Sequence, residues 1–395
     1  MPTRRPGHLP VEQFEIRIDD ADVADLRHRL SRTRWPSDLG NESWQYGTEL
    51  NWLRQLADEW AGGYDWREHE SRMNEWDHFR AIAQGQVLHY IHVRRAGALP
   101  LLLVGGWPQT SWDFAEVLPR LDGFELVVPD LPGQGFSVPL RGTGIGVTET
   151  AALFHELMTE VLGHRRYGVY GTDWGALIGE RLAHDHPDIV VGLHTTMPVP
   201  LDLSPTNRTR PAWAPDETSR QTAAESQAQS GSGYLHMQST RPQTIAYLDD
   251  SPVAMAAWLL DKIHNWTDHD GDLASAYPRD WLLTTLSIFW FTGSVGTAAR
   301  FYRETMGRQR VAPPTTAPIT SVPTAVAAYP KETGAYPRSW VEANFNLRRY
   351  TVMERGGHFP AVESPETLAP DIAAFFNDLV AEGALDSPTE ARGAR

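Results

Sequence analysis

The 395-residue chain has no cysteine. Disulfides, thiolate nucleophiles and Cys-ligated zinc or iron–sulfur centres are therefore excluded. A chain without disulfides suits the reducing cytoplasm, which is the expected location. Long hydrophobic runs are also missing. No stretch reaches the ~18 uninterrupted apolar residues that suggest a spanning helix, so no integral membrane segment is expected. Met1 to Pro10 carries Arg4 and Arg5 between Pro2 and Pro6, with no apolar run behind them, unlike a secretory signal. Positive charge is in deficit: 35 Lys and Arg face 50 Asp and Glu, a formal charge of -15. Such a surface argues against nonspecific binding to nucleic acid or anionic lipid.

What is present is globular in character, with 41% hydrophobic and 22% charged residues. The length suggests two to three units at roughly 150 residues each. Fifteen Trp is high, and 29 Pro with 32 Gly implies many loops and element ends. Residues 1–85 read as a Trp-rich helical region. Val23, Leu26 and Leu30 fall at helical spacing, Trp35-Pro36 breaks the chain, and a second helix is expected near Asn51–Glu59. Residues 86–200 change texture. Val87–Val93 alternates, while Leu101–Val104, Leu126–Val128, Tyr167–Tyr170 and Ile189–Leu193 are short strand-like runs. Helical stretches at Glu149–Leu162 and Gly175–His186 separate them. Alternating strands and helices imply an α/β fold with a mostly parallel central sheet.

Residues 201–318 read as a helical insertion, the cap. Leu201–Ser232 is polar and loop-like, and Gln238–His264 and Trp281–Met306 each read as helical. Residues 319–384 return to the sheet through Ser321–Ala328 and Leu347–Met353, then a helix near Glu366–Leu379. Residues 385–395 are expected to be a disordered tail.

The sharpest signal is Gly171-Thr172-Asp173-Trp174-Gly175, with a strand expected before it and a helix after. Gly-X-nucleophile-X-Gly is the pattern of a cramped strand-to-helix elbow that presents its central side chain to a cleft. The central residue is Asp, which also suits a plain helix N-cap. A carboxylate here can attack an electrophilic carbon and form an ester. Leu101–Val104 runs into Gly105-Gly106-Trp107-Pro108, so the amides of Trp107 and Trp174 could converge as an oxyanion hole. His358, in Gly356-Gly357-His358-Phe359, follows the last strand and suits a general base. Glu332 is the favoured acidic partner, with Glu354 and Glu363 as alternatives.

These motifs together resemble the microsomal-type epoxide hydrolases of the α/β-hydrolase superfamily. The resemblance spans about residues 10–380. It includes Trp35-Pro36, Gly106-Trp107-Pro108, Asp130-Leu131-Pro132-Gly133-Gln134-Gly135-Phe136-Ser137 and the Asp173 elbow. It continues through Gly233-Tyr234-Leu235-His236-Met237-Gln238, Arg241-Pro242-Gln243-Thr244, Asp250-Ser251-Pro252-Val253, Phe301-Tyr302-Arg303-Glu304 and Gly356-Gly357-His358-Phe359. Asp130 and Ser137 read as architectural.

The resemblance implies Asp173 as nucleophile, His358 as base, Glu332 as its partner, and Tyr234 and Tyr302 as cap tyrosines that hold and protonate the epoxide oxygen. Trp107, Trp174, Trp290 and Phe291 are the expected substrate-pocket wall. One departure stands out: Gly105 replaces the family's usual His. No cofactor or metal is expected; the partners are a small epoxide and water, and a homo-oligomer is left open. The resemblance points to a soluble bacterial-type member, similar to enediyne-antibiotic tailoring enzymes. A haloalkane dehalogenase using the same Asp and His, and a noncatalytic small-molecule-binding protein, are the competing readings.

Overall fold

The computed structural model describes residues 11–199, 212–307 and 319–384. The N-terminal ten residues, part of the expected polar loop and the expected tail at 385–395 lie outside them. Nine strands form one sheet: β1 (Glu12–Phe14), β2 (His78–Ala83), β3 (Gln86–Val93), β4 (Pro100–Val104), β5 (Glu125–Pro129), β6 (Tyr167–Gly171), β7 (Val190–Thr195), β8 (Thr320–Ala328) and β9 (Phe345–Val352). Their order is β1-β2-β3-β5-β4-β6-β7-β8-β9. From β5 to β9 all pairs are parallel, while β1, β2 and β3 add an antiparallel edge.

The continuous apolar run of β4 follows from cover on both faces. Leu102 and Val104 join one core cluster, and the intervening Leu101 and Leu103 join the other. β3 is buried from Gln86 to His92, so its alternation separates two covered faces rather than core from solvent.

Several elements differ from expectation. The first 85 residues are not purely helical: they supply β1 and β2. Gln84 and Gly85, with φ of 45° and 81°, form the two-residue hairpin turn that pairs β2 with β3. Gln238–His264 is not one helix. Pro242 and Pro252 start new ones, giving Gly233–Thr240, Pro242–Ala246 and Pro252–Trp266. Trp281–Met306 breaks at Gly293 (φ 56°), and Arg279–Thr292 and Val295–Met306 bend by 85°. Thr218–Ser226, expected within a loop, is helical. Among the described residues no single helix is long and apolar enough to cross a membrane.

The tryptophan-rich N-terminal region binds the insertion to the sheet. Between β7 and β8 the chain leaves the sheet, and its helix Arg279–Thr292 is buried continuously from Trp281 to Phe289. Trp60 Nε1 donates to Ser287 Oγ (2.9 Å), the Tyr64 hydroxyl meets Thr284 Oγ1 (3.0 Å), and Trp66 packs edge-on against Phe291. Trp112, from the loop after β4, stacks on Trp281 at 4.5 Å. Leu286, fully buried in this helix, should cost about 2–5 kcal/mol when cut to Ala. Arg348→Ala, at an exposed ion pair with Glu382, should stay within ~0.5 kcal/mol. Denaturant unfolding of both variants checks the contrast.

Candidate active site

Asp173 stands between β6 and the helix Trp174–Asp185, at φ 52° and ψ -127°. A non-glycine residue in that region is strained and needs its surroundings to hold it. Two flanking glycines permit the turn. A Cβ on Gly171 would strike the Gly175 carbonyl, and one on Gly175 would strike the Val104 carbonyl. The loop after β4 comes equally close: a Cβ on Gly106 would collide with Asp173 Oδ1. Because Gly106 has none, the Trp107 N–H reaches that oxygen at 2.7 Å. Gln134 Nε2 braces the loop by donating to the Gly106 carbonyl (2.7 Å).

Gly105 is packed rather than vacant. A Cβ there would already lie 3.3 Å from Phe114 and 3.4 Å from Gln109. The Gly106 N–H donates to Gln109 Oε1 at 3.3 Å. Phe114 and Gln109 therefore fill the surroundings of Gly105.

The other Asp173 oxygen, Oδ2, lies 3.2 Å from His358 Nε2. His358 Nδ1 lies 2.9 and 3.1 Å from the two oxygens of Glu332. All three are nearly sealed: Asp173 is 8% exposed, His358 2% and Glu332 1%. Burial alone would lower the His358 pKa. The Glu332 charge and the hydrogen bond to Asp173 outweigh it and push the imidazole up to about 10. The resting ring is therefore protonated at neutral pH.

Of the alternative acids, Glu354 is exposed and Glu363 serves a different purpose. Glu363 accepts the N–H groups of Gly357 (2.9 Å), Phe359 (2.7 Å) and Asp268 (2.8 Å). It grips the backbone on both sides of His358 without touching the ring. Burial pushes its carboxyl up to about 7, against the pull of these donors. Trp266, which sequence reasoning missed, takes the His358 N–H on its carbonyl (2.9 Å) and sets its indole edge-on to the imidazole at 5.0 Å. Its only sequence signal is its place at the end of a cap helix, and that does not reveal the contact.

The cap brings both tyrosines over this centre. Tyr234 stacks on Trp107 at 5.6 Å, and Tyr302 meets Trp107 edge-on at 5.8 Å. Tyr302 also packs against Trp174 at 4.6 Å and Tyr234 at 5.8 Å. Its hydroxyl is buried with no protein hydrogen-bond partner among the described residues. Burial, followed by the Asp173 charge at Tyr234 and by Tyr234 and Asp173 at Tyr302, raises both phenol pKa values, so both keep their protons.

In the resting structure the Trp107 N–H donates to Asp173 Oδ1, while the Trp174 N–H, at the head of the elbow helix, makes no hydrogen bond to that carboxylate. Trp290 and Phe291 do not make their ring contacts at the centre. Trp290 lies beneath the Arg29 guanidinium at 5.5 Å, and Phe291 packs on Trp66. Helical spacing turns them toward the N-terminal region. A wide cleft also opens there, lined by Arg29, Trp35, Leu53 and Val253 and by none of the five polar site residues.

Residues 11–114 match the family described as epoxide hydrolase N terminus, and residues 100–267 the alpha/beta hydrolase fold. The chain is 32% identical to epoxide hydrolase 1 of Sus scrofa, over 95% of this chain and 92% of that protein. The crystal structure of juvenile hormone epoxide hydrolase from the silkworm Bombyx mori superposes with a TM-score of 0.83 at 28% identity, covering 94% of this chain and 95% of that one. Aspergillus niger epoxide hydrolase gives 0.81 at 28% identity, covering 94% and 97%.

The raised imidazole pKa has a measurable consequence. An unfolded His titrates near ~6.5. Folding that raises a pKa adds stability that is fully present below the unfolded value and lost as pH climbs through the folded one. Stability should therefore fall between ~pH 6.5 and about 10, and fall less in His358→Gln. Denaturant midpoints across that range check this; identical pH slopes would contradict the charge arrangement.

Proposed function

The chain belongs to the epoxide hydrolase family of the α/β-hydrolase fold, and from that premise we propose that it turns an apolar or aromatic epoxide into a vicinal diol through an ester on Asp173. One observation carries the reading. The Trp107 backbone holds Asp173 Oδ1 while the Trp107 ring touches both Tyr234 and Tyr302, so nucleophile and proton donors meet at one residue.

Asp173 attacks a ring carbon from the side opposite the carbon–oxygen bond that breaks. Tyr234 or Tyr302 gives its proton to the departing oxygen, for which a neutral phenol is the suitable donor. The product is a hydroxyalkyl ester and a phenolate. Ester formation removes the Asp173 charge, one of the causes of the raised His358 pKa. His358 then yields its proton, which restores the phenol, and becomes a neutral base oriented by Glu332. It takes a proton from water, and the hydroxide attacks the ester carbonyl carbon. Negative charge develops on the oxygen held by the Trp107 N–H, with the Trp174 amide next in the chain. Collapse expels the alkoxide, which takes the proton from His358 and completes the diol; the Asp173 carboxylic acid left behind passes its proton to His358, restoring the carboxylate and the protonated ring.

The Trp107, Trp174, Trp266 and Tyr234 rings favour a flat or greasy substrate. An aryl or polyketide-linked natural-product epoxide, a bacterial source and a cytoplasmic setting rest on the sequence resemblance. The same reading divides the chain into an N-terminal region, a core in two parts and a cap.

Styrene oxide, incubated with the enzyme and assayed for diol, tests the chemistry; halide release from a haloalkane without diol formation would overturn it. Asp173→Ala should abolish turnover in a folded protein. His358→Gln should stop after the first step and gain the mass of one substrate. Tyr234→Phe and Tyr302→Phe should each slow ester formation by about 10²–10⁴-fold. Full diol turnover by Asp173→Ala would remove the nucleophile from the scheme.

A further inference from the structure

Three side chains with metal-ligating atoms meet at the end of the sheet opposite Asp173. His92 lies near the end of antiparallel β3, Glu125 opens β5, and His164 stands in the turn that leads into β6. Asp173, by contrast, follows the far end of β6. His92 Nε2 is 2.7 Å from Glu125 Oε1, and His164 Nε2 is 3.5 Å from the same oxygen. Among the described residues this is the one group of three such side chains whose ligand atoms all lie within 4.8 Å of one another.

The geometry suits an ion. Tetrahedral zinc with bonds of ~2.0–2.1 Å sets its ligands roughly 3.3 Å apart. The His164 distance already fits that edge, and His92 needs an outward shift of roughly 0.6 Å. The side chains are largely buried, with exposures of 5% for His92, 15% for Glu125 and 14% for His164. His164 Nε2 is itself buried and lacks a hydrogen-bond partner. Its turn is built to aim the ring: Gly163 takes φ 77°, and the His164 N–H donates to the Met158 carbonyl at 2.9 Å.

We propose that His92, Glu125 and His164 bind one divalent transition-metal ion of the zinc type, with solvent completing its coordination. Two imidazoles and a carboxylate suit zinc better than magnesium or calcium, which favour all-oxygen sets. The ion is structural, since the ester chemistry lies at the other end of the sheet. It links β3 and β5 to the turn before β6 across the intervening β4, which no hydrogen-bonded strand pair does.

Equilibrium dialysis of the full-length, tag-free chain against zinc chloride tests this, with cobalt(II) as a coloured substitute. The wild type should bind roughly one ion per chain, show the visible bands of tetrahedral cobalt, and melt at a higher temperature with zinc. His164→Phe and Glu125→Gln should each weaken binding by at least ~10-fold and cancel the thermal shift, with circular dichroism as the check on folding. His264→Gln, in the separate His264–His269 pair, should leave binding intact. Absence of a bound ion in the wild type, or unchanged binding after His164→Phe, overturns the proposal.

Discussion

Two buried carboxylates share one imidazole, and much of the molecule is organised around that fact. A charge taken out of water must be met by charge or hydrogen bonds inside the protein. Asp173 is met on one oxygen by the Trp107 amide and on the other by His358. Glu332 meets the opposite side of the same ring. Each contact demands something of the backbone. Gly106 must lack a side chain, Gly171 and Gly175 must let the elbow close, and the His358 loop must be held from behind by Glu363. On the proposed route the same balance acts as a timer. The imidazole is held protonated while the carboxylate is free and becomes available as a base once the carboxylate is spent.

The N-terminal region takes part in this arrangement. It extends the sheet through β1 and β2 and grips the cap through Trp60, Tyr64 and Trp66. The abundance of tryptophan follows from that duty. A large ring can fill space between two layers and still use its N–H for one directed bond, as Trp60 does with Ser287.

Legibility from sequence followed the range of the interactions. The apolar runs of β4 to β7 and the glycine-bounded elbow are local patterns, so strand positions and the placing of Asp173 could be read directly. The triad geometry could be anticipated because each member follows a strand. Two local features, the Gln84-Gly85 turn that folds His78–Ala83 onto β3 and the break at Gly293, were missed. Contacts made between distant segments were not readable. Trp290 and Phe291 illustrate the same limit. Their chemistry suits a pocket wall, but the helix phase that aims them at Arg29 and Trp66 depends on packing with a region more than two hundred residues away.

The junction between cap and base loop carries one further implication. The His358 N–H is bonded to the Trp266 carbonyl, the Gly356 N–H to Asp268, and the Asp268 N–H to Glu363. The end of the cap helix and the histidine loop are thus a single latched piece. A hinge that lifted this corner would carry off the base together with the roof, making opening and inactivation the same event. Cap and histidine loop therefore keep their positions relative to one another through this shared set of bonds.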